Sequence, residues 1–132
     1  DSVKAVATIA APADPAHILR VLGKQRSLIE RDGQAEVKIA GRAFTIRHDF
    51  VQDMEARPWE DTISGLRRPL MIMHAPDDEV VGIDNAAAIF QAALHPKSFL
   101  SLDEADHLLS RRRDAEWVAE IIAGWASRYL PD

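Results

Sequence analysis

The chain has 132 residues, 47% of them hydrophobic, and a formal net charge of −5. That length and apolar content suit one domain with a buried core, and the acidic balance argues against a nucleic-acid partner. The absence of cysteine excludes disulfides, thiolate nucleophiles and cysteine-rich metal sites. No apolar run reaches the roughly 20 residues that a membrane span needs. No signal peptide is visible either, so the cytoplasm is the expected compartment. A start at Asp1 without methionine, leading almost at once into a strand, is what an excised or processed segment would have.

Val3 to Ile9 is rich in β-branched residues and reads as a mostly buried strand. Asp14-Pro15 then pairs a capping side chain with proline at a first helical position, opening a helix with Ile18, Leu19 and Leu22 on one face and Gly23 at its end. A short helix over Gln25–Arg31 closes at Asp32-Gly33. Next come two alternating runs, 35–40 and 43–47, around Gly41-Arg42, which predict a β-hairpin. Val37, Ile39, Phe44 and Ile46 should share its covered face, and Glu36, Lys38 and Arg47 its wet face. His48 to Glu55 has helical spacing through Phe50, Val51 and Met54, and Trp59 to Leu66 adds a further turn or two.

From Pro69 the rhythm is strand–helix–strand–helix. Residues 70–74 are apolar enough for a parallel strand covered on both faces. Asp84 should cap a helix through Leu94, stopped by His95-Pro96. A strand over 97–102 follows, then a helix opened by Asp114 whose buried stripe is Trp117, Ile121, Trp125, Ala126 and Tyr129. Residues 15–66 therefore read as a cap-like insertion between strands of one sheet, and 67–132 as regular strand–helix units.

Chemistry gathers where the two later strands end. Asp78 lies just past the first, in His74-Ala75-Pro76-Asp77-Asp78. A carboxylate there can hold a histidine in one tautomer and stabilise its imidazolium. Pro-Asp-Asp is also strong turn chemistry, so Asp77 or Asp78 serves equally well to make a turn. His107 follows the second strand and could be a general base, or a loop histidine bonded to a carbonyl. The strands are consecutive and separated by one helix, so a right-handed crossover brings both ends to one edge of the sheet. His74, Asp77, Asp78, Asp103, Asp106 and His107 could in principle ligate a metal, but no short ligand motif is present. Neither a metal nor another cofactor is expected. His74, at the end of a buried strand, reads as a satisfied structural histidine, and His17, His48 and His95 read as ordinary. The nucleophile-elbow pattern Gly-x-Ser-x-Gly is absent, and none of Ser2, Ser27, Ser64, Ser98, Ser101, Ser110 and Ser127 follows a strand of suitable length in the right order.

Four segments carry a family resemblance: Leu70 to Val81, Gly82 to Ala86, His95 to Phe99, and Asp103 to Leu109. They resemble the carboxyl-terminal part of an α/β-hydrolase, most nearly the module that bacterial bifunctional proteins fuse to an OsmC-like domain. Val6 to Pro15 also resembles the segment after that module's nucleophile helix. The resemblance implies a partial α/β-hydrolase fold: three mainly parallel strands, flanking helices and a hairpin-bearing insertion. It places the catalytic acid on Asp78, in preference to Asp77, and the base on His107. The serine and oxyanion hole are then expected to lie before Asp1. The implied reaction is esterase-like, with a small ester substrate, and this chain alone is expected to be inactive. The implied partner is an amino-terminal half of the hydrolase or a second copy of the chain. The other expectation is a non-catalytic assembly module.

Overall fold

The computed structural model describes residues 3–16, 19, 22–39, 42–56 and 58–131. The chain divides into two compact units, Asp14–Trp59 and the pair of segments Asp1–Ala13 and Glu60–Asp132.

The two-segment unit is built on a parallel sheet. Its strands are β1 (Val6–Ile9), β4 (Leu70–His74) and β5 (Lys97–Ser101), in the order β1-β4-β5. β4 pairs in parallel with both neighbours and every one of its residues is buried. This is the covered central strand that an unbroken apolar run predicts. Met71 and Met73 face one side, where they pack with Leu102 and with Val118 of the last helix, α5 (Arg112–Ser127). Alternate residues face the other side. There, α4 (Asp84–Ala92) packs on β4 and β5 and buries Ala86 and Ile89.

Several boundaries and faces differ from the sequence expectation. β1 is four residues long and half-buried, and Ile9 is exposed. Among the described residues it has β4 as its one neighbour, so its other edge gains no cover from this sheet. Asp84 is the first residue of α4 and makes no capping bond; Ile83 occupies the cap position. The helix stops at Ala92, two residues before Leu94. α5 begins at Arg112, and its first turn contains Asp114, whose carboxylate accepts from Arg111 Nε at 2.7 Å. Of the expected buried stripe, Ile121, Trp125, Ala126 and Tyr129 are partly buried, and Trp117 alone departs from it. Val118 is buried and Ile121, Ile122 and Trp125 pack beside it, whereas Trp117 is 44% exposed.

The inserted unit contains α1 (Lys24–Asp32), the antiparallel hairpin β2 (Gln34–Ile39) and β3 (Arg42–Arg47), and α2 (His48–Ala56). A short helix, α3 (Trp59–Ser64), leads back to the sheet. Gly33 ends α1 in the left-handed region at φ 79°, with its N–H donating to the Ile29 carbonyl at 2.9 Å. Asp14 Oδ1 accepts from the Ala16 N–H at 2.8 Å, a bond of helix-start type. Part of the helix expected after Asp14, including Ile18, lies outside the described residues; Ala16, Leu19 and Leu22 are helical, and Leu19 and Leu22 are buried. They join Ile29, Val37 and Val51 in this unit's own core, and Met54 packs against it. In the hairpin, Ile39 pairs with Arg42, so Arg42 belongs to the strand and not to the turn. The turn itself, at 40–41, lies outside the described residues. Phe44 pairs with Val37 on the expected face yet is 45% exposed. Apolar patterning sets its side of the ribbon, but a two-stranded ribbon is too narrow to cover every position on it.

Candidate active site

The site forms at the carboxyl ends of β4 and β5. β4 leads into a turn at Pro76-Asp77, closed by the Asp78 N–H on the Ala75 carbonyl at 3.3 Å. Beyond the turn the chain folds back over the Asp78 side chain. Asp78 Oδ1 accepts from the amides of Val80 and Val81, each at 2.9 Å. That leaves Oδ2 for side-chain partners, and His107 Nδ1–H donates to it at 2.8 Å. The Asp78 side chain is fully buried, while that of His107 is 25% exposed, so one end of the pair is shielded and the other open to solvent.

Burial works to raise the pKa of Asp78. The Val81 amide, the His107 ring and the Val80 amide outweigh it together and hold the carboxyl below its ordinary value of 3.8. An ionised acceptor facing Nδ1 fixes which ring nitrogen carries the proton. His107 Nε2 is then the atom free to exchange a proton with something else. Asp77 is exposed at the turn and makes no hydrogen bond to His107.

His107 follows Leu102, whose carbonyl accepts from the Ala105 N–H at 3.1 Å. Glu104 at φ 61° and Leu109 at φ 50° bracket it, both non-glycine residues in the left-handed region. Such conformations persist only where surrounding contacts enforce them. Here the Leu109 N–H bonds the Asp106 carbonyl, Asp106 Oδ1 accepts from the Ser110 N–H at 2.7 Å, and Arg111 Nη2 donates to the Glu104 carbonyl. The bond from the Ser110 amide, first among several causes, lowers the Asp106 pKa.

The two loops line an open cleft of about 380 Å³. Its rim is strongly acidic, with Asp77, Glu79, Glu104 and Asp106, and Val80 and Leu108 supply apolar surface.

Among the described residues no serine hydroxyl hydrogen-bonds His107. Ser64 donates to the Asp61 carbonyl, Ser101 to Asp103 and Ser127 to the Gly124 carbonyl. No group of three or more His, Cys, Asp or Glu side chains among the described residues is arranged to hold a metal ion. No helix among them is long and apolar enough to cross a membrane.

The sequence marks His74 as a buried structural histidine, but does not reveal that its bond reaches the loop holding Asp78. His74, the last residue of β4, is fully buried, with its Nε2–H donating to the Val81 carbonyl at 2.7 Å and lying 3.6 Å from Asp78 Oδ2. The Val80 and Val81 amides also went unseen, because a backbone donor leaves no mark in a side-chain pattern.

No protein-family model matches the chain, and no curated protein does. Solved structures do. The esterase domain of a Rhodothermus marinus protein is 48% identical with a TM-score of 0.80, over 98% of this chain and 53% of that one. Est1E from Butyrivibrio proteoclasticus, solved with ferulic acid bound, is 18% identical with a TM-score of 0.72, over 96% of this chain and 50% of that one. Mouse alpha/beta hydrolase domain-containing protein 10 is 18% identical with a TM-score of 0.68, over 98% of this chain and 54% of that one. The chain thus spans about half the length of the solved structures it resembles. Over that half its fold is that of an α/β-hydrolase: a mainly parallel sheet with flanking helices, and a hairpin-bearing unit inserted between two strands.

Proposed function

We propose that this chain supplies the acid and the base of a serine esterase. Asp78 is the acid, His107 is the base, and the serine nucleophile with its oxyanion hole comes from polypeptide outside these 132 residues. The observation that carries the reading is the 2.8 Å bond from His107 Nδ1 to a buried Asp78 carboxylate at the carboxyl ends of adjacent parallel strands. Strong likeness to an esterase domain supports it. In the assembled enzyme His107 Nε2 would take the proton of the attacking serine hydroxyl and return it to the leaving alcohol. Water would then release the acid from the acyl-enzyme by the same route. Asp78 would hold the ring in position and stabilise its charged form. The substrate class is a small carboxylic ester, and no cofactor is required.

Within this proposal the insertion, residues 15–66, plays the part of a cap. The resemblance to modules fused with an OsmC-like domain extends the proposal to a bifunctional bacterial protein of the cytoplasm.

The test is ester hydrolysis by the chain joined to the amino-terminal half of an esterase domain such as that of the Rhodothermus marinus protein. His107→Ala and Asp78→Asn should each lower kcat, on the order of 10³- to 10⁴-fold, with little change in KM. Asparagine keeps an oxygen for the valine amides but turns an N–H donor towards Nδ1, which favours the wrong tautomer. Wild-type rates from both variants would refute the assignment.

A second reading rests on β1. Its outer edge is unpaired among the described residues, and Val3 and Ile9 are 54% and 38% exposed. Edges of this kind recruit strands. The chain would then be an assembly module without catalysis, pairing with an amino-terminal half or with a second copy. Stable association of the two halves without any ester hydrolysis would favour it over the esterase.

A further inference from the structure

β4 needs only apolar side chains to be covered on both faces, yet its last position holds a histidine with no exposed surface. Burying a polar ring is unfavourable unless it makes a specific bond. His74 makes one: Nε2–H to the Val81 carbonyl at 2.7 Å. Its Nδ1 is buried with no hydrogen-bond partner among the described residues, so the Nε2 bond is the polar contact that distinguishes histidine from an apolar residue here. That bond falls on the residue that grips the acid. Val81 receives His74 at its carbonyl and donates its own N–H to Asp78 Oδ1 at 2.9 Å. The His74 ring also stands 3.6 Å from Asp78 Oδ2, too far for a hydrogen bond but close enough to help keep water off the carboxylate. The four groups form one connected chain: His74 to Val81, Val81 to Asp78, and Asp78 to His107.

We propose that His74 is a positioning residue. It ties the loop after β4 back to the strand through Val81, so that the Val80 and Val81 amides engage Asp78 Oδ1 and Oδ2 is aimed at His107. This rests on the acid–base reading of Asp78 and His107 and adds a residue that acts only through them.

The test is nuclear magnetic resonance on the ¹⁵N-labelled protein near neutral pH, which needs no nucleophile and no substrate. In the wild type, His74 should be the Nε2–H tautomer with a slowly exchanging ring proton. His107 should show a far-downfield Nδ1–H resonance from its bond to Asp78. His74→Phe, which keeps the ring volume and removes the donor, should broaden or abolish the His107 resonance while the backbone spectrum stays dispersed. His74→Gln, whose Nε2 donor lies the same number of bonds from the backbone, should restore it. A His74 Nδ1–H tautomer would overturn the proposal, as would an unchanged His107 resonance in folded His74→Phe. Should the phenylalanine variant not fold, the wild-type tautomer and the glutamine variant decide the matter: loss of the His107 resonance in folded His74→Gln also counts against it. Absence of that resonance from the wild type would instead strike at the acid–base pair itself.

Discussion

Asp78 is defined by the partners of its two oxygens. One oxygen is taken by the Val80 and Val81 amides and the other by His107, in a side chain with no exposed surface. Hydrogen bonds to a charged group contribute more than neutral ones, and leaving a buried hydrogen-bonding group unpaired costs about 1–3 kcal/mol, more where it is charged. Because the folded-state pKa lies below the ordinary 3.8, the ionised carboxylate stabilises the fold above that value. The contribution fades as pH falls through the lowered folded value. Asp78→Asn should therefore be less stable by about 1–3 kcal/mol at neutral pH. Its melting temperature should also fall less steeply than that of the wild type between about pH 5 and pH 3. Thermal melts across that range check both statements, and parallel curves for the two proteins would contradict them. The meeting of Asp78 and His107 was legible in the sequence because each follows a strand, and strand ends on one edge converge. The choice between Asp77 and Asp78 came from the family resemblance, since turn chemistry alone fits either. His74 was not legible as part of the site, because a histidine closing an apolar strand looks the same whether or not its bond reaches a functional loop.

At the scale of elements, β4 followed from its sequence directly: five consecutive buried residues leave no ambiguity of face. Helix α5 was harder. Trp117 and Val118 are both apolar and differ by one step in phase, about 100° around the helix. Packing against the methionines of β4 decides the matter, burying Val118 and leaving Trp117 partly in solvent. A glutamate separates the two positions. Val118→Glu should destabilise the protein by more than about 3 kcal/mol, because a charge would enter the core. Trp117→Glu should change stability by no more than about 1 kcal/mol. Chemical denaturation of both variants checks the order, and the reverse order would return the stripe to Trp117. The helix limits were misread for a related reason. Asp84 and Asp114 are good capping residues by type, yet each lies inside its helix and the turn before it sets the boundary. The hairpin was legible through its alternation, but the exposure of Phe44 was not, because covering it requires a layer that a two-stranded ribbon does not supply.

At the scale of the whole molecule, the described residues include a core in each of the two compact units. One lies on the parallel sheet and the other lies inside Asp14–Trp59. Matching solved structures are about twice as long, and the chain covers 53% of the Rhodothermus marinus esterase domain. An acid–base pair needs a nucleophile, and in the proposed enzyme the nucleophile belongs to the other half of such a domain. A fluorophosphonate probe, which bonds covalently to activated serines, tests this division of labour most directly. The 132-residue chain alone should not be labelled, and a serine of the added half should be labelled strongly once that half is joined. His107→Ala should abolish the labelling. Labelling of the isolated chain at one of its own serines, or undiminished labelling in His107→Ala, would contradict that division of labour.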